Sequence, residues 1–367
     1  MPAPAPLALT GDPVTDAHIR RDAAPAADRI LWDYRLGLAA LRAGDLETAR
    51  QSLDTGIAAA GGIWSGDPAT RRARSLFGRE DSKTFLGEPY ERIMAFYYRA
   101  ILFWKDGQPD NARACYLTGL LLDTDPENEQ WEADFVLLDH LRGIAESRMG
   151  LDPAGAFSRA RANVRMAPPP EFDREHNVLV FAEFGRGPEK FGAGRFGEQL
   201  RFREQRSRVR SARLEIGDQI IPLNPIDDLH FQATTRGGRV MDHLLAGQAV
   251  FKETTATVGD VGVIAGLGVL NAGDGNRGNR NLGAGLIAAG ILSHLISSAA
   301  QPQADLRTWD DLPRFLSFAS LRLPPGTHSG TVTYLDASGA VIDAFTESVS
   351  IEISPGRDTV VLLSRTR

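Results

Sequence analysis

The densest concentration of one chemical group in this sequence is guanidinium. Seven arginines fall between Arg195 and Arg213, against two carboxylates, Glu198 and Glu204, with Phe196 and Phe202 interleaved. On a β-strand, side chains two apart share a face, so Arg206, Arg208 and Arg210 would project together. A guanidinium row suits phosphate or carboxylate groups, because each planar fork can donate two parallel hydrogen bonds. The row is therefore a candidate site for an anionic polymer, a lipid headgroup or an acidic protein surface. The plainer alternative is a solvated strand face, or a sheet edge protected by charge.

Nucleophiles and metal ligands are sparser. Asp227-Asp228-Leu229-His230 and Asp242-His243 are the nearest approach to a ligand set, without an HExxH or a second cluster. Gly326-Thr327-His328-Ser329-Gly330 has one residue too many before the serine for a nucleophile elbow and reads as a hairpin loop. Gly185 to Gly192 lacks the Lys-Ser/Thr pair and following helix of a phosphate loop. Cys115, the single cysteine, sits between Ala112 and Tyr116 on a helical pattern and reads as a packed thiol; alone it forms no intrachain disulfide. These patterns predict no catalytic residue, no metal and no cofactor. A net charge of −6 argues against a general nucleic-acid binder.

The elements that would position these residues divide the 367-residue chain in two, as expected for a chain too long for one core. Residues 1–27 open on alternating Pro and Ala and read as a flexible tail. Residues 28–166 show helical periodicity. Ile30 to Leu41 stops at Gly44, and a second helix follows with Leu46, Ala49, Leu53 and Ile57 on one face. Gly37, Gly44 and Ala49 share their mutual offsets with Ala100, Gly107 and Ala112, and a degenerate copy lies at Gly143, Gly150 and Pro153. This spacing predicts a tetratricopeptide-like domain with a long polar insertion from Gly61 to Pro89; a plain helical bundle is the alternative.

Pro168-Pro169-Pro170 lies in a linker, residues 167–176, predicted to separate two units with few shared contacts. Beyond it, 177–367 reads as an antiparallel β-sandwich-like domain, the whole chain being α+β. Asn177 to Phe184 is apolar on both faces, as in a central strand, and Gly217-Asp218 marks a hairpin. Strands are predicted at Thr331–Leu335, Ala340–Phe345, Val349–Ile353 and Thr359–Leu363. A helical insertion over 239–300 includes two small-residue segments, Val258 to Ala272 and Leu282 to Ala300, which read as a close helical hairpin. They are too short and too polar to be expected to span a membrane, and a buried or partner-facing hairpin is favoured over membrane insertion.

Three phrases together resemble an uncharacterised family of bacterial tetratricopeptide-containing envelope proteins, often outer-membrane lipoproteins. Phe85-Leu86-Gly87-Glu88-Pro89-Tyr90-Glu91-Arg92-Ile93-Met94 is similar to the family's Y-x-G-x-x-Y-E-R-x-M, with Phe85 for the first Tyr. Asn177 to Phe184 with Gly187-Pro188-Glu189-Lys190 resembles the opening of its second half. Gln303 to Trp309, with Leu312-Pro313 and Leu323-Pro324-Pro325-Gly326, resembles Q-A-D-x-R-x-W-x-x-L-P … L-P-P-G. The resemblance implies a periplasm-facing envelope location and a non-enzymatic scaffold that binds a protein partner through the helical groove. Tyr90, Glu91, Arg92 and Tyr97 are the candidate contacts, tyrosine and arginine being frequent binding anchors. The same phrase also admits a structural role, with Glu91 capping its helix and Tyr90 packed inside.

Overall fold

The computed structural model describes residues 7–64, 84–123, 134–194, 197, 199–236 and 304–366. The predicted hairpin in 239–300 and most of the Gly61 to Pro89 insertion lie outside the described residues.

The fold is α+β, with helices first and sheets after. The turn glycines act as their spacing predicts. Helix α2 (Arg29–Ala43) turns at Gly44 into α3 (Leu46–Trp64), α4 (Pro89–Lys105) turns at Gly107 into α5 (Pro109–Leu122), and α6 (Val136–Arg148) turns near Gly150 into α7 (Ala154–Ala162). All three glycines have φ between +71° and +83°, the left-handed region that ends a helix without a Cβ penalty. Small residues at the crossings let the paired helices approach. A Cβ on Gly37 would lie 2.7 Å from Leu53, and one on Gly143 would lie 2.6 Å from Phe157.

The N-terminal stretch is not all tail. Helix α1 (Pro13–Ala23) starts at Asp12, whose carboxylate accepts from Thr15 N at 2.8 Å, with proline at the first helical position. Arg21 ties it to the buried Asp33 of α2 at 2.8 Å.

Two four-stranded sheets follow. The first has the order β10-β1-β7-β6: β10 Thr359–Arg365, β1 Val178–Arg186, β7 Pro313–Leu321 and β6 Asp227–Asp228. The second has the order β5-β4-β8-β9: β5 Gln219–Leu223, β4 Ser211–Ile216, β8 Gly326–Leu335 and β9 Glu347–Ile353. A separate hairpin joins β2 (Glu189–Ala193) to β3 (Gln199–Arg203), and helix α8 (Leu229–Arg236) follows β6. Strand β1 is the middle layer, as its unbroken apolar run requires. Leu179 and Phe181 enter the core shared with the helices, while Val178, Val180, Ala182 and Phe184 enter the core shared with the second sheet.

Several expectations are corrected. The helices and the first sheet share one apolar core that includes Tyr34, Tyr98, Phe181, Trp309 and Phe318, so residues 28–166 and 177–367 are not units with few shared contacts. Nor is the proline linker a free spacer. Ala167 N donates to Pro225 O at 3.0 Å, and Arg148 bonds both Arg174 O and Asp358 across it. The first sheet is not wholly antiparallel: β1 and β10 run parallel. Only a tight hairpin forces antiparallel pairing, and these strands lie far apart in sequence. In place of a strand at Ala340–Phe345 there is one bridge, Leu335 to Val341, and a 3₁₀ turn at Asp343–Phe345. Gly326 to Gly330 lies within β8, paired to β9, rather than in a hairpin loop.

Candidate functional site

The family-like phrases meet in space at one carboxylate. Glu91, in the first turn of α4, is fully buried and forms a capping box with Glu88, its Oε2 accepting from Glu88 N at 2.7 Å. The same oxygen accepts from Lys190 Nζ at 2.7 Å, and Oε1 accepts from Trp309 N at 2.7 Å. Lys190, on β2, is buried too and donates also to Arg307 O at 2.9 Å. Both Lys190 and Arg307 lie 5.6 Å from the centre of the Phe85 ring. Arg307 bonds Asp28 and Asp305, and Trp309 stacks on Tyr34 with centroids 5.1 Å apart. The segment from Asp305 to Trp309 is thus a strap that binds the β half to α2 and α4.

This placement corrects the expected groove contacts. Tyr90, Glu91, Arg92 and Tyr97 are at most 8% exposed. Tyr90 meets Phe202 edge-on at 5.8 Å, and Tyr97 packs against Tyr98 and Phe181. Helix α4 is buried on most sides because β1, the β2–β3 hairpin and the strap lie against it, through Phe181, Phe202 and Trp309. The capping role of Glu91 is the one the structure shows.

A second buried carboxylate, Glu183 on β1, accepts from Arg42 Nε at 2.6 Å and from the Tyr98 hydroxyl at 2.5 Å. Burial, with this anion beside it, holds the Tyr98 phenol well above its ordinary pKa. A third, Asp227, accepts from Val136 N and Leu137 N and so caps α6 from another element. A charged residue inside an otherwise apolar run, as in Val180-Phe181-Ala182-Glu183-Phe184, was the available signal for Glu183; no local pattern shows its partners. Cys115 is buried, which pushes its thiol up to about 12 and leaves it protonated.

The arginine row is placed differently from the expectation. Arg206, Arg208 and Arg210 lie in the connection from β3 to β4, not on a strand. They still converge, lining with Glu204, Gln205 and Ser207 a cleft of about 430 Å³. Val209 is buried and anchors the loop, while Arg206 and Arg208 are exposed. Arg210 lies 3.5 Å from Glu204, and Glu204 also pairs with Arg314, which holds Asp228 at 2.9 Å. Among the described residues Arg206 and Arg208 form no ion pair; the field of Arg208 helps hold the Asp336 carboxyl below its ordinary pKa, after the larger effect of its hydrogen bonds to Ser338 and Ala340. Arg203 instead pairs with Glu189 across the β2–β3 hairpin. The cleft can hold a small anionic group through guanidinium donors on a loop braced at both ends.

No group of three or more metal-ligating side chains occurs among the described residues, and no helix among them is long and apolar enough to cross a membrane. Comparison with family models, with curated proteins and with solved structures finds no match to this chain.

Proposed function

We propose that the chain is a non-enzymatic binding protein of the bacterial cell envelope, facing the periplasm, that holds an anionic envelope polymer or lipid through Arg206, Arg208 and Arg210. The observation that carries this reading is the cleft in which those three side chains converge, with Arg206 and Arg208 unpaired among the described residues. The three helical hairpins are read as tetratricopeptide-like and the two sheets as a β-sandwich. Together they form a scaffold that presents the loop and leaves other surfaces for a protein partner. The envelope location rests on the resemblance of the three phrases that meet at Glu91.

Flotation with phosphatidylglycerol vesicles, beside titration with soluble polyphosphate, tests the proposal and separates lipid from polymer. Each arginine near an anionic surface contributes about 1 kcal/mol, so Arg206→Gln with Arg208→Gln should weaken binding about thirtyfold. Raising the salt should weaken the parent similarly, because exposed charges are screened. A parent that binds neither probe, or a double variant that binds as the parent does, removes the reading.

A further inference from the structure

A second cleft, of about 540 Å³, lies where the edges of the two sheets come together. Arg42 lines it from the end of α2, Glu347 to Val349 from the start of β9, Leu362 to Arg365 from β10, and Thr366 from just beyond that strand. Strands β9 and β10 are each the last of their sheet.

The hydrogen-bond alternation along β10 shows what this edge offers. Thr359 N donates to Asn177 O at 2.8 Å, so Thr359, and with it Val361, Leu363 and Arg365, directs its backbone groups to β1. Val360, Leu362 and Ser364 must turn theirs outward. The Val360 carbonyl does so, accepting from Lys105 Nζ at 3.0 Å. Lys105 thereby covers the edge at its first outward residue, a usual protection of a strand edge. Among the described residues none bonds the outward backbone groups of Leu362 or Ser364, and both residues line the cleft.

Two guanidinium groups flank this open stretch, one on each side of the strand. Leu362 packs toward the helices, and Val361 and Leu363 toward the second sheet. Arg42 therefore approaches from the helix side. Arg365, in phase with Val361 and Leu363, lies on the other side, 4.2 Å from the Phe345 ring centre. Arg42 Nη2 and Arg365 Nε are buried and unpaired among the described residues. Arg42 already donates through Nε to Glu183, so what is left unmet is its Nη2 donor and the Arg365 Nε. A buried donor without an acceptor is costly, and an incoming carboxylate relieves that cost. The nearby Glu347 is already engaged by the Tyr334 hydroxyl at 2.8 Å.

We infer that this cleft takes an extended peptide of a partner protein, which pairs with β10 through the Leu362 and Ser364 backbone groups and sets acidic side chains against Arg42 and Arg365. In strand addition of this kind main-chain bonds supply affinity, and pockets for alternate side chains supply specificity. The site is separate from the Arg206 cleft and does not depend on it.

The test is to pan a displayed library of random heptapeptides over the full chain, then to titrate the most enriched sequence as a labelled synthetic peptide. Enriched peptides should carry Asp or Glu among β-branched residues, and their binding should slow hydrogen exchange at the Leu362 and Ser364 amides. Ser364→Pro removes an outward N–H while leaving the ladder to β1 intact, and proline is tolerated on an edge strand. Arg365→Gln removes one charge and carries the test if the proline variant does not fold. Arg365→Gln should weaken the peptide about tenfold or more, as for a hydrogen bond to a charged group, and Ser364→Pro about three- to tenfold, as for one backbone hydrogen bond. No enrichment, protection elsewhere, or affinity unmoved by either variant overturns the inference. So does a concentration-dependent dimer abolished by Ser364→Pro, which assigns the edge to a second copy of the chain.

Discussion

At the scale of single residues, buried charge sets the sensitivity of this protein. Lys190 and Glu91 are held by each other and by backbone groups, and neither has water to fall back on. Removing one partner leaves the other buried and uncompensated, so Glu91→Ala should cost about 3–5 kcal/mol. Replacing both with apolar groups, Glu91→Leu with Lys190→Met, should recover a large part of that loss. Urea midpoints of the two single variants and the double variant form the cycle that measures the coupling. His140 gives a pH signature. It lies between Phe157 and Phe318, and burial lowers its pKa from an ordinary 6.5 to about 4. On acidification the unfolded chain takes up the imidazole proton first, so between these values it binds more protons than the folded chain and stability falls with pH. From about pH 7 to about pH 5 this one group should remove roughly 2 kcal/mol. Denaturation of His140→Phe at both pH values should show a smaller acid loss by about that amount; an equal loss would place the acid sensitivity elsewhere.

At the scale of elements, glycines of one helical pair make opposite predictions. Gly143 faces the Phe157 ring, whereas a Cβ on Gly155 would meet nothing within 4 Å. Gly143→Ala should overpack the α6–α7 crossing and destabilise by about 1–3 kcal/mol. Gly155→Ala should stabilise by up to about 1 kcal/mol, because it removes backbone freedom from the unfolded chain and adds no contact. Thermal melts of the two variants check both signs. Helix ends also depend on distant elements. Helix α6 has no side-chain cap of its own, and Asp227 from β6 supplies the acceptor. Asp227→Ala should therefore loosen α6, read as faster amide exchange at Val136 and Leu137.

At the scale of the whole molecule, helices and first sheet share one core, so they are expected to unfold together. Far-ultraviolet circular dichroism and tryptophan fluorescence should report one transition in urea, since Trp104 lies in the helical half and Trp309 in the strap. Residues 7–166 expressed alone should aggregate or remain molten, because the face of α4 that packs on Phe181 and Trp309, and the His140 face of α6 that packs on Phe318, would be bare. Two transitions, or a soluble and cooperative helical half, would restore the picture of separate units.

The features that can be read from the residues alone are local ones. Helical periodicity, turn glycines, the apolar run of β1 and the capping role of Glu91 are legible because each is set within one element or turn, by backbone sterics or side-chain period. Other features were decided by tertiary structure. The parallel pairing of β1 with β10, the strap that brings Trp309 to Glu91, and the cap that Asp227 lends to α6 join residues about 90 to 220 apart in sequence, which no local pattern encodes. Strand β7 was not predicted, although Phe315 to Leu321 is apolar, because its pairing with β1 is equally remote. The arginine row was legible as chemistry but not as geometry. Its alternation suggests a strand, but the segment forms the loop between β3 and β4, with Val209 buried and the arginines lining a cleft beside the Glu204–Arg314 pair. Tyr90, Arg92 and Tyr97 had the composition of a contact surface, and the sheet laid over α4 made them core, since burial belongs to the assembled layers and not to any one helix.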